Sequence, residues 1–159
     1  MALTSKLYSA SFTRPSNATQ YAATDLVANS TVAGNVVPNV INDPTMTDAG
    51  YNWLRSVTLK HSQASVTTSS FKVWLLNALP AITNGDNGAI AGPTLAQILD
   101  IVPLDVDNLV TGAGAIGKAY YDAGLILLPR TFYFLVEATA AYTPASAEVF
   151  TAEFRLEAA

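Results

Sequence analysis

From residue 148 to 156 the chain alternates between two kinds of side chain. Phe150, Ala152, Phe154 and Leu156 fall on one face, and Thr151, Glu153 and Arg155 on the other. A period of two predicts a strand, and the charged second face predicts an antiparallel strand with one side open to water. Residues 53–60 behave likewise, with Val57 and Leu59 predicted to face inward and Ser56, Thr58 and Lys60 outward. Residues 71–76 and 131–138 are rich in aromatic and β-branched side chains on both faces. That pattern predicts central strands covered on both sides. Weaker strand signals lie at 6–13, 21–28, 119–121 and 125–128.

Between these segments lie residues that break regular structure: Arg14-Pro15-Ser16-Asn17, Gly34-Asn35, Asn42-Asp43-Pro44, Asn84-Gly85-Asp86-Asn87-Gly88, the run from Gly112 to Gly117, and Thr143-Pro144. Short strands separated by such turn chemistry read as an all-β sandwich or barrel. One segment fits two patterns. Leu95, Ile98, Leu99 and Val102 have helical spacing, with Thr94 as an N-cap after Pro93, yet the same residues also suit a strand. No repeat or composition shift divides the chain, so residues 1–159 read as one domain, the size of an ordinary single core.

Charge changes the picture more than hydrophobicity does. Only 13% of residues are Asp, Glu, Lys or Arg, about half the usual share of roughly 25%. The net charge of −4 opposes a nucleic-acid partner, which needs a positive field. No apolar run approaches the ~20 residues of a membrane-spanning helix, and no secretory leader is evident at the N-terminus. With no cysteine and one histidine, His61, there is little material for a thiolate or all-histidine metal site. A weakly charged surface rich in Ala, Ser and Thr suits a subunit that its neighbours partly cover, and equally a low-charge monomer.

Candidate chemistry is sparse. Gly112-Ala113-Gly114-Ala115-Ile116-Gly117-Lys118-Ala119 matches G-x-G-x-x-G and approaches the phosphate-loop pattern. Both motifs need a strand before and a helix after, so that backbone N–H groups face phosphate. Ala119 stands where a phosphate loop has Ser or Thr, and Pro129 limits a following helix, so the run reads as a glycine-rich loop between strands. Asp86, Asp100, Asp105 and Asp107 lack the spacing of a calcium loop. His61 reads as a strand-end residue with no relay partner in the nearby sequence. Trp53, Trp74, Tyr120 and Tyr121 could line a sugar groove, although rings in such a fold more often pack the core. No catalytic, cofactor-binding or metal-ligating residue is assigned, and no enzyme activity is expected.

Three stretches stand out together: Ser11-Phe12-Thr13-Arg14-Pro15 with Tyr21 and Asp25-Leu26-Val27; Phe71-Lys72-Val73-Trp74-Leu75-Leu76-Asn77-Ala78-Leu79-Pro80 with Asn84-Gly85-Asp86-Asn87-Gly88; and Glu137-Ala138 with Ala141-Tyr142-Thr143-Pro144-Ala145-Ser146-Ala147-Glu148-Val149-Phe150. In order and spacing they resemble a family of small proteins encoded near the capsid genes of tailed bacteriophages. The resemblance implies a virion component, by analogy a head-decoration or cement protein. The implied fold is an antiparallel β-sandwich of jelly-roll-like form with long loops, with a strand over part of 95–102. The expected place is the capsid surface, after assembly in the host bacterial cytoplasm. The expected partners are the major capsid protein and further copies of the chain, as a dimer or trimer, with no nucleic acid, membrane or cofactor. The alternative is a tail or baseplate component with a receptor- or carbohydrate-binding role. Candidate assembly contacts are Leu7 and Tyr8, in a segment (1–13) that can act as an N-terminal arm, and Leu79, Pro80 and Ile82 in a long loop.

Overall fold

The C-terminal alternation forms the last strand of a two-sheet structure. The computed structural model describes residues 5–43, 50–63, 69–110, 114–120 and 126–158. The strands are β1 (Ser5–Thr13), β2 (Leu26–Val27), β3 (Asn39–Asn42), β4 (Tyr51–His61), β5 (Ser69–Leu76), β6 (Ile98–Val106), β7 (Asn108–Val110), β8 (Gly114–Tyr120), β9 (Leu127–Pro129), β10 (Thr131–Ala138) and β11 (Val149–Ala158). One sheet runs β1-β11-β4-β8-β7, with β9 also on β4; the other runs β2-β10-β5-β6, with β3 also on β10. Every pairing is antiparallel. The first and last strands are neighbours, and the chain crosses repeatedly between the sheets. With β2 and β3 flanking β10 as one interrupted strand, this is the jelly-roll order.

Alternation on the inner faces builds the core. Phe12, Leu54, Val57, Leu59, Phe150, Ala152, Phe154 and Leu156 of one sheet meet Phe71, Val73, Leu75, Val102, Phe132, Phe134 and Val136 of the other in one buried cluster. Phe154 sits at the middle, its ring 5.2 Å from Phe132 and 5.1 Å from Phe134 across the interface. A bulge at Arg55, where the β11 register passes from Ser56 to Leu54, switches the phase of β4. Asn52 and Leu54 are therefore buried before it, and Val57, Leu59 and His61 after it. Ser56 and Thr58 point outward as predicted, but in this central strand their neighbours cover them almost completely.

The outer face of the second sheet is not left to solvent. Leu26, Leu76, Leu135, Trp74 and Tyr133 point away from the main core and pack with Val36, Ile82, Ile90 and Ile98 in a second cluster. The loops after β2 and β5 thus form a third layer. The segment with two readings is a strand over most of its length, not a helix. Thr94 N donates to Gln97 Oε1 (2.9 Å) and closes a single 3-10 turn, Leu95–Gln97, after which the chain extends as β6. The N-terminal segment departs from the expectation of an arm. From Ser5 onward it is β1, paired with β11 along its whole length, because Tyr8, Ala10 and Phe12 all find places against the core.

Candidate functional site

Two turns and the end of β1 bring distant polar residues together inside one end of the sandwich. The buried Arg14 donates from Nε to the Tyr21 hydroxyl (2.8 Å) and from Nη2 to Asp86 Oδ2 (2.9 Å). Tyr21 in turn donates to Asp86 Oδ1 (2.5 Å), which also accepts from Ala28 N (2.9 Å). Arg14 Nη1 donates to the carbonyls of Asn17 (2.6 Å) and Ala145 (3.3 Å). Asp86 reaches this position through a turn in which Asn87 has φ of 65° and the α-carbon of Gly85 lies against Thr31; a Cβ there would fall 2.0 Å from the Thr31 oxygen. Arg14 and Tyr21 come from one stretch of the sequence and Asp86 from another, 72 residues from Arg14, and they meet here.

The network continues through stacked rings. Tyr21 lies over Tyr142 with centroids 6.3 Å apart and planes 5° apart. Tyr142 donates to Glu148 Oε1 (2.6 Å), and the same oxygen is 2.8 Å from His61 Nδ1. On the other side of the imidazole, Ser69 Oγ is 3.4 Å from Nε2. Burial, with the Asp86 carboxylate beside it, pushes the Tyr21 phenol well above its ordinary range, and the nearby Arg14 cation opposes this. Burial and the hydrogen bond to Glu148 do the same for Tyr142.

Ser69, His61 and Glu148 stand in the order of a nucleophile, base and orienting acid, an arrangement that His61's sequence neighbours do not reveal. Glu148 comes from the turn just before the last strand, and Ser69 from the start of β5. A relay of this kind needs a nucleophile that a substrate can reach. All three side chains are enclosed, and His61 is packed among the rings of Phe71, Tyr142 and Phe150. Every buried side-chain nitrogen and oxygen among the described residues has a hydrogen-bond partner, so the network works as an internal brace.

The glycine run differs from its expected form. Residues 112 and 113 lie outside the described residues, but Gly114 through Tyr120 is strand β8, neither a loop nor a turn into a helix. Gly117 faces inward opposite Leu59, where a Cβ would lie 2.3 Å from the Asp105 oxygen of β6. Glycine is there for the close approach of the two sheets at that edge, and the described part of the run is paired in the sheet. Among the acids, Asp86 is committed to Arg14 and Asp105 accepts from Ser70 Oγ (2.7 Å). No group of three metal-ligating side chains occurs among the described residues.

No protein-family model and no curated protein matches the chain.

The candidate assembly contacts do not form one surface. Leu7 is 57% exposed and points outward from the first sheet, while its neighbour Tyr8 packs inward against the core. Leu79 is 59% exposed, Pro80 is buried, and Ile82 belongs to the second cluster over the opposite sheet. Leu7 and Leu79 therefore lie on opposite outer faces. Leu95, which has helical spacing with Ile98, Leu99 and Val102 in the sequence, is 90% exposed. It lies beside Leu79, since Gln97 Nε2 donates to the Leu79 carbonyl (3.2 Å) and Asn77 Nδ2 to that of Ala96 (3.3 Å). Of the rings considered for a sugar groove, Trp53 and Tyr120 point outward from the first sheet. Trp74 is on the second sheet, donating to Glu137 Oε2 (2.6 Å), and Tyr121 lies outside the described residues.

Charge is spread unevenly: the second sheet presents Lys72 and Asp105 outward, but the loops that cover the rest of that face carry almost none. Across 26–42 and 77–99, the loops and short strands associated with the second sheet, the only charged residue is the buried Asp86. Val32, Val37, Val40, Leu79 and Leu95 are exposed in these segments. The first sheet instead carries Arg55, Lys60, Lys118, Glu153, Arg155 and Glu157 on or near its outer face.

Proposed function

We propose that this chain is a structural virion protein that binds and stabilises the head lattice of a tailed phage, with the major capsid protein as its partner. The observation that carries the reading is the charge-free, loop-built face. Docking a face without charges removes no ion from water, and charged residues are depleted at the centres of protein interfaces for that reason. Exposed aliphatic side chains on that face gain from being covered. The charged sheet then faces solvent and keeps the coated particle soluble. A braced jelly roll suits a purely mechanical role, since its rigidity limits the entropy lost on docking. Self-association as a dimer or trimer would engage several lattice sites at once and turn weak contacts into tight attachment. The N-terminal arm has no part in this reading, because residues from Ser5 onward are held in the sheet.

Imaging of intact particles tests it. Density for the chain on the head surface, with 26–42 and 77–99 toward the capsid, is the expected result. Density confined to the tail or baseplate would replace it with the receptor-binding alternative.

A further inference from the structure

The outer face of the first sheet carries exposed aromatic rings. Strand register fixes their layout. Tyr120 of β8 lies opposite Ser56 of β4, and Ser56 lies opposite Arg155 of β11. Beyond the bulge, Trp53 lies between Leu127 of β9 and Glu157 of β11, and Tyr51 follows opposite Pro129. Val57, Leu59 and Leu54 point inward, so Tyr51, Trp53 and Tyr120 share the outer face. Tyr120 is 73% exposed, Tyr51 is 52% exposed and Trp53 is half-buried. No loop covers them among the described residues, in contrast to Trp74 on the other sheet.

The cations mark this place out. Arg14 pairs with Asp86, Arg55 with Glu157, Lys60 with Glu153 and Lys72 with Glu137, and Lys6 and Arg130 are also engaged. Lys118 and Arg155 have no carboxylate partner among the described residues, and both flank Tyr120. Lys118 reaches over the ring with Nζ 4.6 Å from its centroid, and Arg155 stands two strands away, about 10 Å across the sheet. In a chain of net charge −4, two unmatched cations beside exposed rings form a local positive site.

We infer that Tyr51, Trp53 and Tyr120, with Lys118 and Arg155, bind an acidic saccharide whose sugar rings stack on the aromatic faces while its carboxylates meet the two cations. A pyranose has an apolar face of C–H groups that fits an open ring, and flat sheet rings offer such faces without a pocket. From Tyr51 to Ser56, β4 extends about 15 Å, room for about three sugar rings. The charge spacing also suits this ligand. Glu153 and Glu157 on the same face tolerate a carboxylate on some sugars but oppose the denser phosphates of a nucleic acid.

The test is calorimetric titration of the full chain with a hyaluronan hexamer, whose carboxylates fall on alternate sugars, with maltohexaose as the neutral control and single-stranded oligo(dT) as the competing polyanion. The acidic hexamer should bind, weaken with added salt, and exceed maltohexaose. Tyr120→Ala and Arg155→Gln should each reduce its affinity about tenfold, as expected for losing one stacked ring or one charge contact. Thermal melting should not change, since both side chains are exposed. No binding of the hexamer at millimolar concentration, equal binding of maltohexaose, or affinity unaffected by both substitutions would overturn the assignment. Tighter binding of oligo(dT) would overturn it in favour of a single-strand nucleic-acid site.

Discussion

Phe154 shows how much one side chain carries in this fold. It is fully buried between Phe132 and Phe134 of the opposite sheet, so truncation removes both its transfer energy and the contacts that join the layers. Phe154→Ala should cost about 3–5 kcal/mol, read as a shift in the denaturant midpoint at constant slope. A loss below about 1 kcal/mol would mean that the inner face is misassigned. Asp86 is equally committed, but through charge. Asp86→Ala would leave the Arg14 guanidinium enclosed without its carboxylate, and breaking a buried pair from one side costs about 3–5 kcal/mol. The stacked tyrosines add a dependence on pH. Both phenols have folded-state pKa values above the ordinary 10.0, so folding favours their neutral forms. That stabilisation is fully present below pH 10.0 and is lost as pH rises beyond it toward the folded values. Melting temperature should therefore fall above pH 10.0, and fall less steeply in Tyr142→Phe; equal slopes would mean that Tyr142 ionises freely in the folded protein.

Among the elements, β1 gives the sharpest expectation. Phe12 stacks on Phe150 at 5.7 Å, and the strand covers the free side of β11. Removing residues 1–13 should lower the melting temperature and expose an edge prone to association, as light scattering would record. Gly117→Ala tests the sheet junction. Its new methyl group meets the Asp105 carbonyl, so stability should drop by more than about 1 kcal/mol although the side chain added is small. These two elements also show what a sequence can reveal. The alternation of Phe150, Ala152, Phe154 and Leu156 is a local property of β11, and it survives folding unchanged. Gly114 through Gly117 look like a loop because glycine favours loops, yet the strand they join is set largely by pairing with β4, far away in the sequence. The polar brace is hidden for the same reason: Arg14 and Asp86 are 72 residues apart, and only the jelly-roll crossings bring them together. His61 looks ordinary until the turn before β11 supplies Glu148. Leu95 differs again, since its spacing suits a helix while the single turn that holds it projects it outward.

At the scale of the whole molecule, the distribution of charge separates the proposed roles of the two faces. The face built by 26–42 and 77–99 can be covered without burying an ion, whereas covering the opposite face would mean desolvating or matching several. Converting Leu79 and Leu95 together to Asp places two charges where docking would bury them. Both side chains are already largely exposed, so the isolated protein should melt as before. Its affinity for particles should fall at least about a hundredfold, because unpaired charges at a desolvated contact cost several kcal/mol. Leu7→Asp supplies the control, for Leu7 is similarly exposed but belongs to the charged face. Its occupancy on particles should match that of the unmodified chain. If Leu7→Asp detaches the protein while the double substitution does not, the charged face is the one that docks and the loops face solvent. If neither changes occupancy, the chain is held by some other part of its surface.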